Sequence, residues 1–292
     1  MDGLVDNIVG PDSATWSLAL LFICSTSNST SPVGLLLSVL LISRPAWLVD
    51  GWATLNTEFS PLILIGLVLP GLVMVIYWMH GLAHLLLDIF QWKPIYQYKI
   101  QQNKHLDRKR LPSLFYTLVK VQLIVFFPVC LAFSWISVNS AYGLSITREL
   151  PSPRALFLHQ VGYALVDEIL FYAMHRLAHH RSLYRHVHKI HHEWTAPIAL
   201  ASDYCHPVEH LLVNVLPNIA YGLFIGSDPF SYLIWWIISY LGSQTNHSGY
   251  RFPTADLSQE AQPNFHDLHH EKFNTNYGSM GFLDWLLGTL TK

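Results

Sequence analysis

Residues 155–192 read ALFLHQVGYALVDEILFYAMHRLAHHRSLYRHVHKIHH, an apolar stretch that runs straight into a cluster of histidines. Its first part, 155–175, is long enough to cross a hydrocarbon core of about 30 Å as a helix. Outward from it, 61–90 and 113–138 have the same length and character, and 31–49 is a weaker candidate interrupted by Arg44 and Pro45. Two more apolar runs, 208–225 and 229–245, are joined by the turn-like Gly226-Ser227-Asp228-Pro229. A hairpin re-entering the membrane and two buried helices both fit that pair. The stretch 14–24 is short, with no Lys or Arg before it, so a cleaved signal peptide is disfavoured. These segments predict an all-α polytopic membrane protein with about four transmembrane helices plus a re-entrant or buried helical hairpin. Residues 1–112 would form N-terminal membrane segments and a basic loop, and 113–292 the remaining helices with the histidine motifs of 155–290.

Composition supports this class. The 17 Lys+Arg and 19 Asp+Glu make up only 12% of 292 residues, and 51% are apolar. A soluble domain carries roughly a quarter of its residues charged. A soluble, disordered or coiled-coil chain is thus disfavoured, and a net charge of −2 gives no basic field to attract nucleic acid. Cys24, Cys130 and Cys205 are too few and scattered for a disulfide framework or a CxxC metal site.

The positive charges suggest an orientation. The loop 91–112 holds Lys93, Lys99, Lys104, Arg108, Lys109 and Arg110, whereas 139–154 holds only Arg148 and Arg154. The loop 91–112 is then expected in the cytosol. Helix 113–138 leads away and 155–175 returns, delivering the histidines to the cytosolic face, where Arg176, Arg181, Arg185 and Lys189 obey the same rule. A glycan on the sequon Asn28-Ser29-Thr30 would overturn this topology.

Seventeen histidines are present, nine of them between His175 and His210. The candidate ligands are His175, His179, His188, His191, His192, His206, His247, His266, His269 and His270, with His210 and His180 placed second to these. On a helix i, i+3 and i+4 share one face, so each H-x2-HH is expected to aim three imidazoles at one point. One zinc needs three or four ligands, and two metals in an imidazole-rich site use eight to ten, so the count favours a dinuclear centre. Imidazole suits iron, copper, zinc and nickel alike. His192-Glu193 continues Trp194-Thr195-Ala196, leaving no H-E-x-x-H. Pro207 makes His206 a helix cap, and of His206 and His210 the former is favoured as the ligand. Glu168, Tyr172 and Asn246 are supporting candidates, with Glu168 or Asp167 accepting the second N–H of a ligand imidazole. His80, His84, His105, His159 and His186 read as interfacial or surface residues.

The runs Asp167-Glu168-Ile169-Leu170-Phe171-Tyr172, His188-Lys189-Ile190-His191-His192-Glu193-Trp194-Thr195-Ala196-Pro197, Asn246-His247-Ser248-Gly249-Tyr250 and Phe265-His266-Asp267-Leu268-His269-His270 together resemble the fatty acid hydroxylase superfamily. The phrases around His192 and His206-Pro207-Val208-Glu209-His210 look most like its branch of C4-methylsterol oxidases and fatty acid hydroxylase domain-containing proteins. The resemblance covers roughly 155–290. It implies a cytosolic histidine-lined helical cap over membrane helices, two iron ions for which zinc can substitute in purified protein, and molecular oxygen. It also implies electrons from cytochrome b5 and an NAD(P)H reductase. It further implies a multi-pass location in the endoplasmic reticulum, although Thr289-Leu290-Thr291-Lys292 is no di-lysine retrieval signal.

The chemistry points the same way. An unactivated C–H bond is too strong for acid–base catalysis, so oxygen must be activated at a redox metal. The expected activity is lipid C–H oxidation, first of all at the C4 methyl of a 4-methylsterol, with a fatty-acyl or sphingolipid hydroxylase or a sterol desaturase as the alternative. A histidine-lined metal transporter and a non-catalytic lipid-binding relative are the readings from other classes. The loop 91–112 is the expected dock for an acidic electron donor.

Overall fold

The computed structural model describes residues 41, 43–252 and 263–291. The run 14–24, most of 31–49, the sequon at Asn28 and Cys24 lie outside them. Among the described residues every regular element is a helix, with one isolated antiparallel bridge between Lys99 and Tyr250. In chain order the main helices are α1 (Ala46–Glu58), α2 (Pro61–Phe90), α3 (Arg108–Asn139) and α4 (Pro153–Ala178). A fifth, α5, joins Pro207–Glu209, His210–Val215 and Leu216–Phe224; then come α6 (Pro229–Asn246), α7 (Asn264–Lys272) and α8 (Phe282–Leu287).

Three helices widen to π-helical turns at Leu64–Val68, Gln122–Phe126 and His210–Val215. A proline follows each one, at Pro70, Pro128 and Pro217. A proline has no N–H for the carbonyl four residues back and its ring crowds that carbonyl, so the turn before it opens.

Helix α6 is the central pillar. Every residue from Pro229 to Ile237 is buried, and so are Tyr240 and Gln244. The sequence left open a re-entrant hairpin or two buried helices; α5 and α6 form the pair, and α6 is enclosed by protein. It packs on α2, α4 and α5. Trp236 stacks on Tyr240 at 5.4 Å, and Phe126 and Tyr77 meet these two rings edge-on at 5.2 and 5.4 Å. Gly81 lets α2 come this close, since a Cβ there would lie 2.3 Å from Leu200 Cδ2 and 2.7 Å from Gln244 Nε2.

Two helices, α2 and α3, are long and apolar enough to cross a membrane. Each keeps one apolar stripe exposed: Leu72, Val75, Met79, Leu82 and Leu86 on α2, and Tyr116, Val119, Leu123 and Trp135 on α3. The third expected span forms as α4, whose polar residues Gln160, Asp167, Glu168 and His175 are turned inward. Among the described residues, therefore, two helices rather than four meet the requirement.

Candidate metal centre

The last turns of α4 present His175 and His179, α6 ends beside His247, and α7 carries His266, His269 and His270. The segment His188–Glu193 forms a 3-10 helix rather than the expected α-helix. Nine of the ten favoured histidines converge in two groups, whose ring nitrogens lie within 4.8 Å of one another in each. The first holds His175, His179, His188, His192 and His269, and the second His191, His247, His266 and His270. The expectation that each H-x2-HH triplet aims at one point is corrected. In both triplets the i, i+4 pair stays together, and the histidine at i+3 crosses to the other group, so the two triplets interlock the groups.

Hydrogen bonds from the far side fix the rings. His175 Nδ1 donates to Tyr277 O at 2.7 Å, His269 Nδ1 to Thr275 O at 2.6 Å and His247 Nδ1 to Ser243 O at 2.8 Å. His188 Nδ1 donates to Glu209 Oε1 at 2.7 Å. With the proton on Nδ1, the lone pair of each ring sits on Nε2. These Nε2 atoms point at one another: His175 to His188 at 3.2 Å, His179 to His188 at 2.8 Å, His192 to His188 at 3.0 Å, His247 to His266 at 2.9 Å and to His191 at 3.2 Å. Burial holds His188, His191, His266, His269 and His270 well below the ordinary imidazole value, and the mutual repulsion of neighbouring rings adds to it. Burial likewise lowers His247 to about 4. Converging lone pairs on neutral, buried rings repel unless a cation lies between them, so these residues fit metal ions.

Several candidates take other roles. His206 joins neither group; its Nδ1 accepts the Val208 N–H at 3.2 Å and caps α5, which takes the neutral ring's one lone pair and leaves the proton on Nε2, the atom that the converging rings turn to one another. His210 is buried beside Asn214 and outside both groups, and His180 caps Arg181–Tyr184 by accepting the Ser182 N–H. Glu168 was expected to orient a ligand imidazole but accepts N–H bonds from Ser279, Met280 and Leu283. Tyr172 bonds Thr289 and Arg176 rather than a site ring. Asn246 is the half-buried last residue of α6, next to His247. His80, expected at the membrane surface, turns inward to Gln244 Oε1 at 2.8 Å.

The orienting carboxylate is Glu209, which the sequence reading passed over. Its signal was there: one acid between His206 and His210 at the head of an apolar run. The backbone acceptors Thr275 and Tyr277 leave no such mark. Tyr277 is placed by Asp284, whose oxygens accept from Tyr277 N at 2.8 Å, Gly278 N at 2.6 Å and Thr289 Oγ1 at 2.6 Å, and Thr275 is held through Thr289, whose carbonyl accepts from Thr275 Oγ1 at 2.7 Å.

The basic loop straps the centre. Ile100 N donates to Gly249 O and Arg251 N to Tyr98 O, while Gln101 reaches Thr195 O and Asp267. Lys99 is buried against Asp88 at 2.6 Å, and Arg110 holds Glu193 at 3.1 Å. Part of the loop's charge is thus matched by the protein's own carboxylates, beside an open cleft of about 230 Å³ lined by Lys104, Arg110, Glu193 and Trp194. Lys93, Arg108 and Lys109 remain exposed.

Two apolar helices of membrane-crossing length and nine converging imidazoles that could hold metal ions define a helical, membrane-type protein with a histidine-rich candidate metal site. The chain is a member of the fatty acid hydroxylase family, whose sequence profile matches residues 160–289. It is 37% identical over 200 residues to fatty acid hydroxylase domain-containing protein 2 of Macaca fascicularis, covering 67% of this chain and 57% of that one. A Dictyostelium discoideum protein named "Putative methylsterol monooxygenase" is 33% identical over 200 residues, 67% of this chain and 74% of its own. A very-long-chain aldehyde decarbonylase of Oryza sativa is 30% identical over 251 residues, 82% of this chain and 91% of its own. The match thus spans 57% of the length of the first of these relatives. No solved structure matches the chain.

Proposed function

We propose that the protein is a membrane-bound di-iron oxygenase that oxidises a lipid C–H bond, with the C4 methyl of a 4-methylsterol as the first substrate to test. The observation that carries this reading is the convergence of nine imidazoles, eight of them buried and His179 half-buried, whose Nε2 atoms face one another. His175, His179, His188, His192 and His269 would hold one ion, and His191, His247, His266 and His270 the other. Two iron ions there would supply the oxygen-activating redox chemistry that no acid–base residue offers an unactivated C–H bond. The chain's own groups do the rest. Glu209, Ser243, Thr275 and Tyr277 fix ring orientation, and burial of the histidines excludes water.

In the same reading the histidines face the cytosol from the endoplasmic reticulum membrane, and electrons come from an acidic donor such as cytochrome b5, reduced by an NAD(P)H reductase. The exposed Lys93, Arg108 and Lys109 support docking through 91–112. Anaerobic iron loading followed by a single turnover with a 4-methylsterol should give an oxygenated sterol by mass spectrometry. Full iron occupancy with no oxidised sterol would remove that substrate.

A second reading has a specific observation in its favour: the match to the aldehyde decarbonylase reaches 91% of that protein's length. Under it, long-chain aldehydes rather than sterols are consumed, and the same single-turnover assay run with a long-chain aldehyde would show the alkane one carbon shorter. A fatty-acyl or sphingolipid hydroxylase would show hydroxylated acyl chains, and a sterol desaturase a new double bond.

A further inference from the structure

Helix α8 presents an unpartnered apolar surface beside the metal-site turn. Phe282 is 57% exposed, Trp285 66%, Leu286 58% and Leu287 51%, and Met280 before it is open as well. Large apolar side chains this exposed on adjacent positions are a contact surface, because isolated ones are ordinary and clusters are not.

Three observations say what covers it. First, α8 packs along α4, and the outward side of α4 carries a stripe of exposed Leu158, Leu165 and Ile169, the face that a lipid-contacting helix leaves open. Second, the stripe ends in a cation: Arg176 lies seven residues beyond Ile169, and its guanidinium donates to Tyr172 Oη at 2.9 Å. Tyr172 in turn bonds Thr289 Oγ1 at 3.0 Å, just past the end of α8. An arginine at the end of an apolar stripe marks the level where a helix leaves the hydrocarbon region and a cation meets headgroup phosphates. Third, α8 has a fixed height on α4. Glu168 accepts from Met280 N and Leu283 N at its start, and Thr289 meets Tyr172 one α4 turn nearer Arg176. Trp285 therefore stands at the level where the stripe gives way to charge, where aromatic residues mark a membrane boundary.

We infer that α8, together with the outer stripe of α4, is an interfacial membrane contact that lies in the bilayer surface without crossing it. The partner is a lipid bilayer with anionic headgroups, matched by Arg176. The contact is coupled to the metal site through one turn just ahead of α8: Tyr277, which accepts from His175, donates its N–H to Asp284 within α8, and Thr275, which accepts from His269, is tied to Asp284 through Thr289. The inference rests on the chain residing in a bilayer, which α2 and α3 support, and is independent of the reaction proposed above.

The test uses the full chain with Cys24→Ser, leaving the buried Cys130 and Cys205. Leu286→Cys and, separately, Trp285→Cys are labelled with an environment-sensitive fluorophore in nanodiscs of phosphatidylcholine and phosphatidylserine, with exposed Lys189→Cys as the reference. Variants are compared only when they retain the parent's metal content. Doxyl-labelled phospholipid should quench the 285 and 286 labels about twofold or more and leave the 189 label unchanged. Quenching of the 286 label by aqueous iodide to the extent seen at 189 would overturn the contact. So would a label shielded from iodide yet unquenched by doxyl lipid, because protein, such as a second copy, would then cover the surface. Either failure with turnover intact leaves the proposed reaction standing.

Discussion

At the scale of single residues, the ring orientation of the site rests on a few acceptors. Glu209 is buried and bonds the Nδ1–H of His188, whose Nε2 lies within 3.2 Å of three other imidazoles. Removing such an acceptor costs about 10- to 100-fold in metal affinity. Glu209→Ala should show that loss in metal-binding titrations, whereas Glu209→Gln, which keeps an acceptor oxygen, should lose much less. Equal losses in both would mean that Glu209 acts through its charge. His206 gives the opposite case. His206→Ala should cost at most about 1 kcal/mol through the lost helix cap and leave metal content unchanged. His188→Ala, His191→Ala and His269→Ala should each reduce metal content, and His105→Ala should not. Metal analysis of the purified variants checks all five.

At the scale of elements, much was legible and the failures have physical causes. Apolar runs of helix length gave α2, α3, α4 and the α5–α6 pair, because burial and length are written directly in residue order. The histidine triplets gave the ligand candidates but not their partition. Three imidazoles at i, i+3 and i+4 share a face only on an undistorted α-helix viewed alone; here His188–Glu193 is a 3-10 helix, and the approach of α4, α6 and α7 decides which ring meets which. Glu168 was misassigned because a buried acid next to a ligand helix looks the same whether it orients an imidazole or captures a turn. It captures the turn 279–283, and Asp284 captures the preceding one. Asp284→Ala leaves two buried N–H groups without acceptors, each worth about 1–3 kcal/mol. Although Asp284 bonds no histidine, its loss should loosen Thr275 and Tyr277 and lower metal content; retention of full metal would contradict this coupling. Gly81→Ala should destabilise the protein by about 1–3 kcal/mol through overpacking against Leu200 and Gln244, read as a lower midpoint on thermal unfolding in detergent.

At the scale of the whole molecule, the chain sets an imidazole centre at one end of a bundle whose outer surface is apolar. The two helices of membrane-crossing length bracket the loop that straps the centre, so the side on which that loop lies is the side on which the centre lies. The charge rule predicts that this side is the cytosol. A membrane-impermeant amine reagent added to sealed microsomes should label Lys93 and Lys109, and labelling only after permeabilisation would reverse the topology.

In the proposed reading, nine interlocked histidines hold two metal ions. The most direct measurement is metal stoichiometry on the iron-loaded full chain, combined with X-ray absorption at the iron edge. Two ions per chain in a shell dominated by imidazole nitrogen, with loss of both when the interlocking His188 and His191 are replaced together, is the predicted result. A single ion per chain, or a shell dominated by other ligands, would contradict it.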